Sequence, residues 1–343
     1  MPTNRIMIPR ASAQAQTPEW QRAWARAVRD PHELLARLQL DPSLAQDMDS
    51  GHALFRVRVP ESYLARMRPG DPNDPLLLQV LPRAAEAMEH PGFVADPVDD
   101  AAAMAAPGLL HKYPGRVLLV TTGACAIHCR YCFRREFPYG AFSARHDWQP
   151  ALDYIRSRDD ISEVILSGGD PLALSDDRLT QLGALLDRIP HLRRLRIHTR
   201  LPVVCPERVD DGLLSWLGNG RLQHTLVLHA NHPREFDAPA AAALARLRNT
   251  RVALLNQSVL LAGVNDDLDT LCELQERGFA TAGILPYYLH LLDRVRGAAH
   301  FEVDAPRARQ LHEGMRSRLP GFLVPRLVRE VPGARYKVPL TDG

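Results

Sequence analysis

Residues 116–132 read Arg-Val-Leu-Leu-Val-Thr-Thr-Gly-Ala-Cys-Ala-Ile-His-Cys-Arg-Tyr-Cys, an apolar run followed at once by three cysteines, Cys125, Cys129 and Cys132. The run predicts a buried strand over 116–122, and Gly123 ends it. Working outward, the same texture recurs at 163–168, 192–199, 224–230, 251–261 and 281–290. Amphipathic stretches separate most of these runs, among them 175–187, 239–248 and 266–277. Such alternation predicts an α/β fold with a parallel sheet and right-handed crossovers. Six units of this kind curl into a partial or full barrel or lie as an open sheet, and periodicity does not choose between them. In either case chemistry collects at the C-terminal ends of the strands. The polar motifs fall there: Cys125 after the first strand, Gly168-Gly169-Asp170 after the second, and His198-Thr199-Arg200 after the third. His229-Ala230-Asn231-His232 follows the fourth, and Asp293 the sixth.

The flanks read differently. Residues 1–16 have the character of a short disordered tail, without the continuous apolar core of a secretory signal. Residues 17–108 read as a helical N-terminal region: Thr17-Pro18-Glu19 and Asp30-Pro31-His32-Glu33 are helix-start signals, and 80–88 is an apolar helical stretch. The alternating region covers 109–303. Residues 304–343 then hold a helix over 304–318 and an extended, proline-marked tail.

Composition excludes several classes. Lys+Arg 42 against Asp+Glu 40 leaves a net charge of +2 in 343 residues, which argues against a protein built to coat nucleic acid. No apolar run approaches the roughly 20 residues of a membrane span. Three of the five cysteines crowd between 125 and 132, which indicates a metal or redox site in a reducing, cytoplasmic compartment rather than a disulfide scaffold. The basic residues are nearly all arginine, and the two lysines are Lys112 and Lys337. Arginine keeps its proton and cannot act as an amine nucleophile, whereas lysine forms Schiff bases. Both lysines are therefore candidates for amine chemistry that arginine cannot perform.

Three thiolates at a C-x-x-x-C-x-x-C spacing can satisfy three irons of a [4Fe–4S] cube and leave the fourth open. A structural zinc site wants a fourth protein ligand; His128 is badly placed for it, and Cys205 and Cys272 read as buried free thiols. With Tyr131 before the last cysteine, the motif resembles the signature of radical S-adenosylmethionine enzymes, whose fold is a partial (β/α)6 barrel. That resemblance implies that the open iron chelates S-adenosylmethionine and that the reduced cluster cleaves it to a 5′-deoxyadenosyl radical. Ser167-Gly168-Gly169-Asp170 resembles the family's glycine-rich contact to the methionyl amino group.

The resemblance narrows over residues 108–343. CRYCFRR, ILSGGDPL, LHANHP, NQSVLLAGVND and the terminal Lys337-Val-Pro are similar to the lysine 2,3-aminomutase family. It implies that Lys337 binds pyridoxal phosphate as a Schiff base, with Lys112 and Tyr113 in the stretch that holds the phosphate. It implies that Arg134 binds the carboxylate of the substrate, and that Asp293 and Glu330 hold the ammonium of its side chain. Glu330 stands where the long clostridial-type enzymes carry Asp, and Lys112 where they carry Arg. His229 and Gln257 belong to motifs lining the S-adenosylmethionine site. The long enzymes continue into a cysteine-bearing zinc segment beyond the point where this sequence stops, and Asp267 stands where their cysteine is expected. The sequence therefore resembles the short bacterial branch that makes (R)-β-lysine for attachment to elongation factor P. Free L-lysine is the implied substrate, with an external reductant, an elongation factor P ligase as consumer of the product, and homo-oligomerisation left open.

Blander readings stand beside these. Arg134 and Arg135 read as surface charges, Asp293 as a helix N-cap, and Glu330 as the solvent-facing member of a strand. The basic run at 191–200 reads as a strand with outward arginines rather than an RNA contact. Two other functions compete: an aminomutase for another amino acid, and a non-catalytic iron–sulfur or zinc module that binds a translation partner.

Overall fold

The computed structural model describes residues 17–142 and 147–340; the tail expected at 1–16 lies outside them. Ten strands form one sheet in chain order: β1 (Met104–Ala106), β2 (Leu109–Tyr113), β3 (Arg116–Thr122), β4 (Glu163–Gly168), β5 (Arg194–Thr199), β6 (Gln223–His229), β7 (Ala253–Val259), β8 (Leu285–His290), β9 (Arg326–Arg329) and β10 (Val338–Pro339). Pairing from β3 through β9 is parallel, and an antiparallel partner flanks each end: β1–β2 before β3, and β10 beyond β9. The order runs from β1 to β10 without returning on itself, so the fold is a partial (β/α)6 barrel over β3–β8, extended at both edges.

Alternation along each strand sorts the side chains. On β5, Leu195, Ile197 and Thr199 are buried towards the helices, while Arg196 and His198 face the barrel interior. Leu179, Leu182 and Leu186 of the helix Asp176–Asp187 share one core with Val164, Leu166, Leu195 and Ile197. Ser175 caps that helix through the amide of Arg178.

Several boundaries differ from the sequence reading. The helix expected at 80–88 is only a 3-10 turn over Ala84–Ala87, with a one-turn α-helix before it over Pro75–Leu78, because Pro82 interrupts the backbone hydrogen bonding. The strand expected from 281 starts at Leu285, because the preceding helix runs to Ala282 and ends on Gly283 in the left-handed region (φ 67°). The extended tail supplies β9, a seventh parallel strand, and the N-terminal region supplies β1 in its last residues.

No helix among the described residues is long and apolar enough to cross a membrane.

Candidate active site

A cavity of about 280 Å³ opens at the C-terminal ends of the strands, and every residue that the sequence singled out for a cofactor or substrate lines it. That includes Cys125, Cys129 and Cys132 from the loop after β3, Ser167-Gly168-Gly169-Asp170 after β4, His229 and Gln257 on β6 and β7, and Asp293 after β8. Lys112 and Tyr113 reach it from β2, and Glu330 and Lys337 from the segment joining β9 to β10.

The cysteine loop is held from below and from the side. Gly169 donates to the Thr122 carbonyl at 2.7 Å and Asp170 to that of Ala124 at 2.8 Å. A Cβ on Gly169 would lie 2.5 Å from the Ala124 oxygen, and one on Gly168 (φ +119°) 2.6 Å from the Thr122 oxygen. The two glycines thus let the β4 turn press against the backbone that leads into Cys125. The N-terminal region grips the loop from the other side. Buried Glu86 pairs with both Arg130 and Arg135, and His128 donates its amide to Arg58 O at 3.0 Å and bonds Arg56 O through Nδ1 at 2.8 Å. Burial pushes the Cys132 thiol up to about 11 and that of Cys125 well above its ordinary value. Both must shed a proton to ligate iron. Among the described residues no three His, Cys, Asp or Glu side chains converge as donors to one metal ion; a cluster that takes one thiolate per iron asks for no such convergence. Cys205 and Cys272 are buried and free, as expected.

Asp170 has both oxygens engaged. Oδ1 accepts from Thr199 Oγ1 at 2.7 Å and Leu172 N at 3.0 Å, and Oδ2 from the amides of Arg200 and Leu201 at 2.8 and 3.0 Å. Its carboxyl is nonetheless raised, because burial outweighs those bonds. Geometrically it ties the end of β4 to the end of β5.

Just beyond the last cysteine, Arg134 and Arg135 are buried, not surface charges. Arg134 Nε donates to Asp100 Oδ2 at 2.7 Å and Nη1 to Ser167 Oγ at 3.0 Å. Lys112 Nζ meets the other oxygen of Asp100 at 2.7 Å. Burial alone would raise the carboxyl of Asp100, but the two cations hold it below its ordinary value. Lys337 Nζ donates to Glu330 Oε2 at 2.8 Å, and the Tyr113 hydroxyl donates to Glu330 Oε1. Against its burial, Lys337 and Tyr113 hold Glu330 below the usual carboxylate range. The Glu330 side chain is 9% exposed, so it is not solvent-facing. Asp293 precedes an irregular turn rather than a helix, and burial lifts its carboxyl to about 6. The run at 191–200 is β5 and its approach, but its arginines do not all face out: Arg196 turns inward, pairing with Glu163 at 2.9 Å and donating to the Tyr287 hydroxyl at 2.9 Å.

Several cavity groups had no role in the sequence reading, although His198, Arg200 and Asn231 stand in its strand-end motifs. His198 and His290 line it beside His229; burial holds His229 near 4 and the other two well below the ordinary imidazole value, so all three are neutral at pH 7. His229 Nε2 stands 3.4 Å from His198 Nδ1. His290 Nε2 and Gln257 Oε1 are buried without a partner. Arg200 and Asn231 both bond the Tyr131 hydroxyl, at 2.6 and 2.7 Å. Their positions at the ends of β5 and β6 were a usable signal; Asp100, in no motif, offered none.

No family model matches the chain. Among curated proteins, the L-lysine 2,3-aminomutase of Haemophilus influenzae is 45% identical over 332 residues, 96% of this chain and 98% of that one. The L-lysine 2,3-aminomutase of Escherichia coli is 45% identical over 94% of each chain. That of Clostridium subterminale is 35% identical over 92% of this chain and 77% of its own. Among solved structures, a radical SAM methyltransferase from Sphaerobacter thermophilus aligns at 18% identity and a TM-score of 0.41 over 64% of this chain and 68% of its own, too distant a likeness to carry an argument.

Proposed function

The chain belongs to the L-lysine 2,3-aminomutase family, and from that premise we propose that it moves the amino group of free L-lysine from C2 to C3, giving (R)-β-lysine. The observation that carries the reading is the meeting, in one cavity, of three cysteines, a lysine amine and a set of charges suited to both ends of lysine.

The site fits the family's cofactors. Three thiols and the amine of Lys337 reach one space, and the unpartnered Gln257 Oε1 and His290 Nε2 line it. When bound, the [4Fe–4S] cluster with S-adenosylmethionine supplies a radical able to remove an unactivated hydrogen, and pyridoxal phosphate supplies the imine nitrogen that migrates. Cys125, Cys129 and Cys132 would hold three irons. Tyr131, Ser167, Gly168, Gly169, Asp170, His229 and Gln257 would surround S-adenosylmethionine, and Lys112 and Tyr113 would hold the phosphate.

The residues of the chain bind and orient lysine. Arg134 is fixed through Nε and Nη1 by Asp100 and Ser167, leaving its Nη2 edge for the α-carboxylate. Asp293 and Glu330 face the far ammonium. Glu330 is paired with Lys337 here; once that amine engages the cofactor, Glu330 is released to the substrate. Neutral His198, His229 and His290 add no charge to compete for either end. Two buried carboxylates facing a side chain disfavour an acidic one such as glutamate, which weighs against that alternative. A non-catalytic module would have no use for Lys337 beside Glu330.

Asp267 supports assignment to the branch serving elongation factor P. It caps the helix Leu268–Ala282 by accepting from Thr270 N at 2.9 Å, where the long enzymes carry a cysteine. On this reading the reductant is an external one-electron donor, the protein works in the cytoplasm, and the product passes to a ligase acting on elongation factor P.

The test is an anaerobic incubation of reconstituted protein with pyridoxal phosphate, S-adenosylmethionine, dithionite and L-lysine, with chiral mass spectrometry of the product. (R)-β-Lysine is expected. Cleavage of S-adenosylmethionine without β-lysine would refute the substrate, and the S enantiomer would refute the branch.

A further inference from the structure

We propose that Arg200 is a positioning residue for the iron–sulfur cluster, holding the Cys129 sulfur and biasing the cluster towards its reduced state. The inference rests on the reading of Cys125, Cys129 and Cys132 as the cluster's ligands.

Arg200 follows β5, and its amide is pinned by Asp170 Oδ2. Its side chain is 7% exposed. Nη1 stands 2.8 Å from Cys129 Sγ and 2.6 Å from the Tyr131 hydroxyl. Nη2 donates to Gln79 Oε1 at 2.8 Å, Glu235 Oε2 at 2.9 Å and the Tyr63 hydroxyl at 3.2 Å. One end of the guanidinium is thus locked by three acceptors while the other is aimed at the sulfur. Glu235 does not depend on Arg200 for its partners: its Oε1 accepts from the amides of Asn231 and His232 and from Gln79. A role confined to neutralising Glu235 would not place Nη1 on the sulfur.

An iron–sulfur cluster becomes more negative when it gains its electron. A fixed cation that donates a hydrogen bond to a ligand sulfur stabilises the more negative state, and it does so strongly where water is excluded. The electron comes from a low-potential one-electron donor, which is oxidised as the cluster is reduced; Arg200 neither gains nor loses a proton. Its effect is on the equilibrium of that transfer, before any lysine chemistry.

The experiment reconstitutes wild type, Arg200→Gln, Arg200→Lys and Glu235→Gln anaerobically, checks iron content and absorbance, and follows reduction by EPR-monitored potentiometry. Arg200→Gln should shift the reduction equilibrium about tenfold or more against the reduced form, about 59 mV for one electron. Arg200→Lys keeps the charge but not the fork and should shift it less. Glu235→Gln removes a buried negative charge and should shift it the opposite way. An unchanged potential in Arg200→Gln with a full cluster overturns the proposal. Should that variant fail to hold iron, Arg200→Lys takes its place: an unchanged potential overturns the proposal and a lowered one supports it. Failure of the wild type to take up a cluster would instead overturn the ligand reading.

Discussion

Replacing Asp293 by asparagine should convert lysine binding from pH-dependent to nearly pH-independent between pH 5 and 7. The carboxyl lines the cavity with Lys337, Glu330, Lys112 and Asp100 as its charged surroundings, and burial lifts it to about 6. An ammonium binds the ionised form. With a value near 6, about nine-tenths of the carboxyl is ionised at pH 7 and about one-tenth at pH 5. Glu330, which Lys337 and Tyr113 hold below its ordinary value, is common to both proteins, so its own titration does not separate them. If the charge of Asp293 contributes about 2 kcal/mol to binding, typical of a hydrogen bond to a charged group, asparagine weakens lysine about 30-fold at pH 7. At pH 5 most of the wild-type carboxyl is already neutral, and the difference shrinks to about fourfold. Lys337 pulls the carboxyl down, so engaging its amine with the cofactor moves the inflection above 6 rather than below it. Equilibrium dialysis of labelled L-lysine against the unreduced holoenzyme at pH 5, 6 and 7 measures the ratio of the two affinities, and effects of pH common to both proteins cancel. A ratio that stays constant across the window, or an asparagine variant that binds as tightly as wild type at pH 7, would refute the assignment.

Other substitutions test the remaining walls. Lys337→Arg keeps a cation beside Glu330 but has no amine for a Schiff base, so the absorbance of bound pyridoxal phosphate should vanish while iron content stays unchanged. Asp100→Asn should weaken both pyridoxal phosphate and lysine by several-fold, because Lys112 and Arg134 lose their common anchor; S-adenosylmethionine binding by calorimetry should not move. Gly169→Ala would place a Cβ 2.5 Å from the Ala124 oxygen, and overpacking of this kind costs about 1–3 kcal/mol; melting temperature and iron per chain should fall together.

Much of this was legible in the sequence because period and motif agreed. The limits of β3 and β4 match the apolar runs at 116–122 and 163–168, and the residues drawn from the resemblance all meet in one cavity. What escaped depended on distant pairing. β9 has four residues and reads as tail until β8 offers it a parallel neighbour. Nothing near Asp100 in sequence announces that it will sit between Lys112 and Arg134. Arg134 and Arg135 looked like surface charges because arginine usually is one; partners on remote segments, Asp100 and Glu86, are what allow their burial. The glycines of the β4 turn read as a ligand contact, and nothing near them in sequence shows that they also let the turn press against the backbone leading into the cysteine loop.

The arrangement divides two tasks between two parts of one sheet. The cysteines, Gly169, Asp170, Arg200, Asn231 and Gln257 all belong to the run of parallel strands β3–β7 and the loops leaving it, where each strand is flanked by neighbours that fix its end. Lys112, Tyr113, Glu330 and Lys337 belong to the two edges, β2 and the β9–β10 segment, which the sheet itself does not join. Side chains span that gap: Tyr113 donates to Glu330, and Lys337 pairs with the same carboxylate. Groups proposed to exchange partners as lysine and its cofactor come and go thus lie where side chains, rather than a continuous ladder, make the closure. Groups expected to hold a rigid cluster lie where the ladder is complete. Arg134 crosses the division, with Nε on Asp100 towards the edge and Nη1 on Ser167 at the end of β4. Any displacement of the β4 turn is therefore transmitted to the arginine proposed to face the substrate. Ser167→Ala, which removes only that hydroxyl, should loosen lysine without moving iron content, whereas Gly169→Ala, which moves the turn itself, should disturb both.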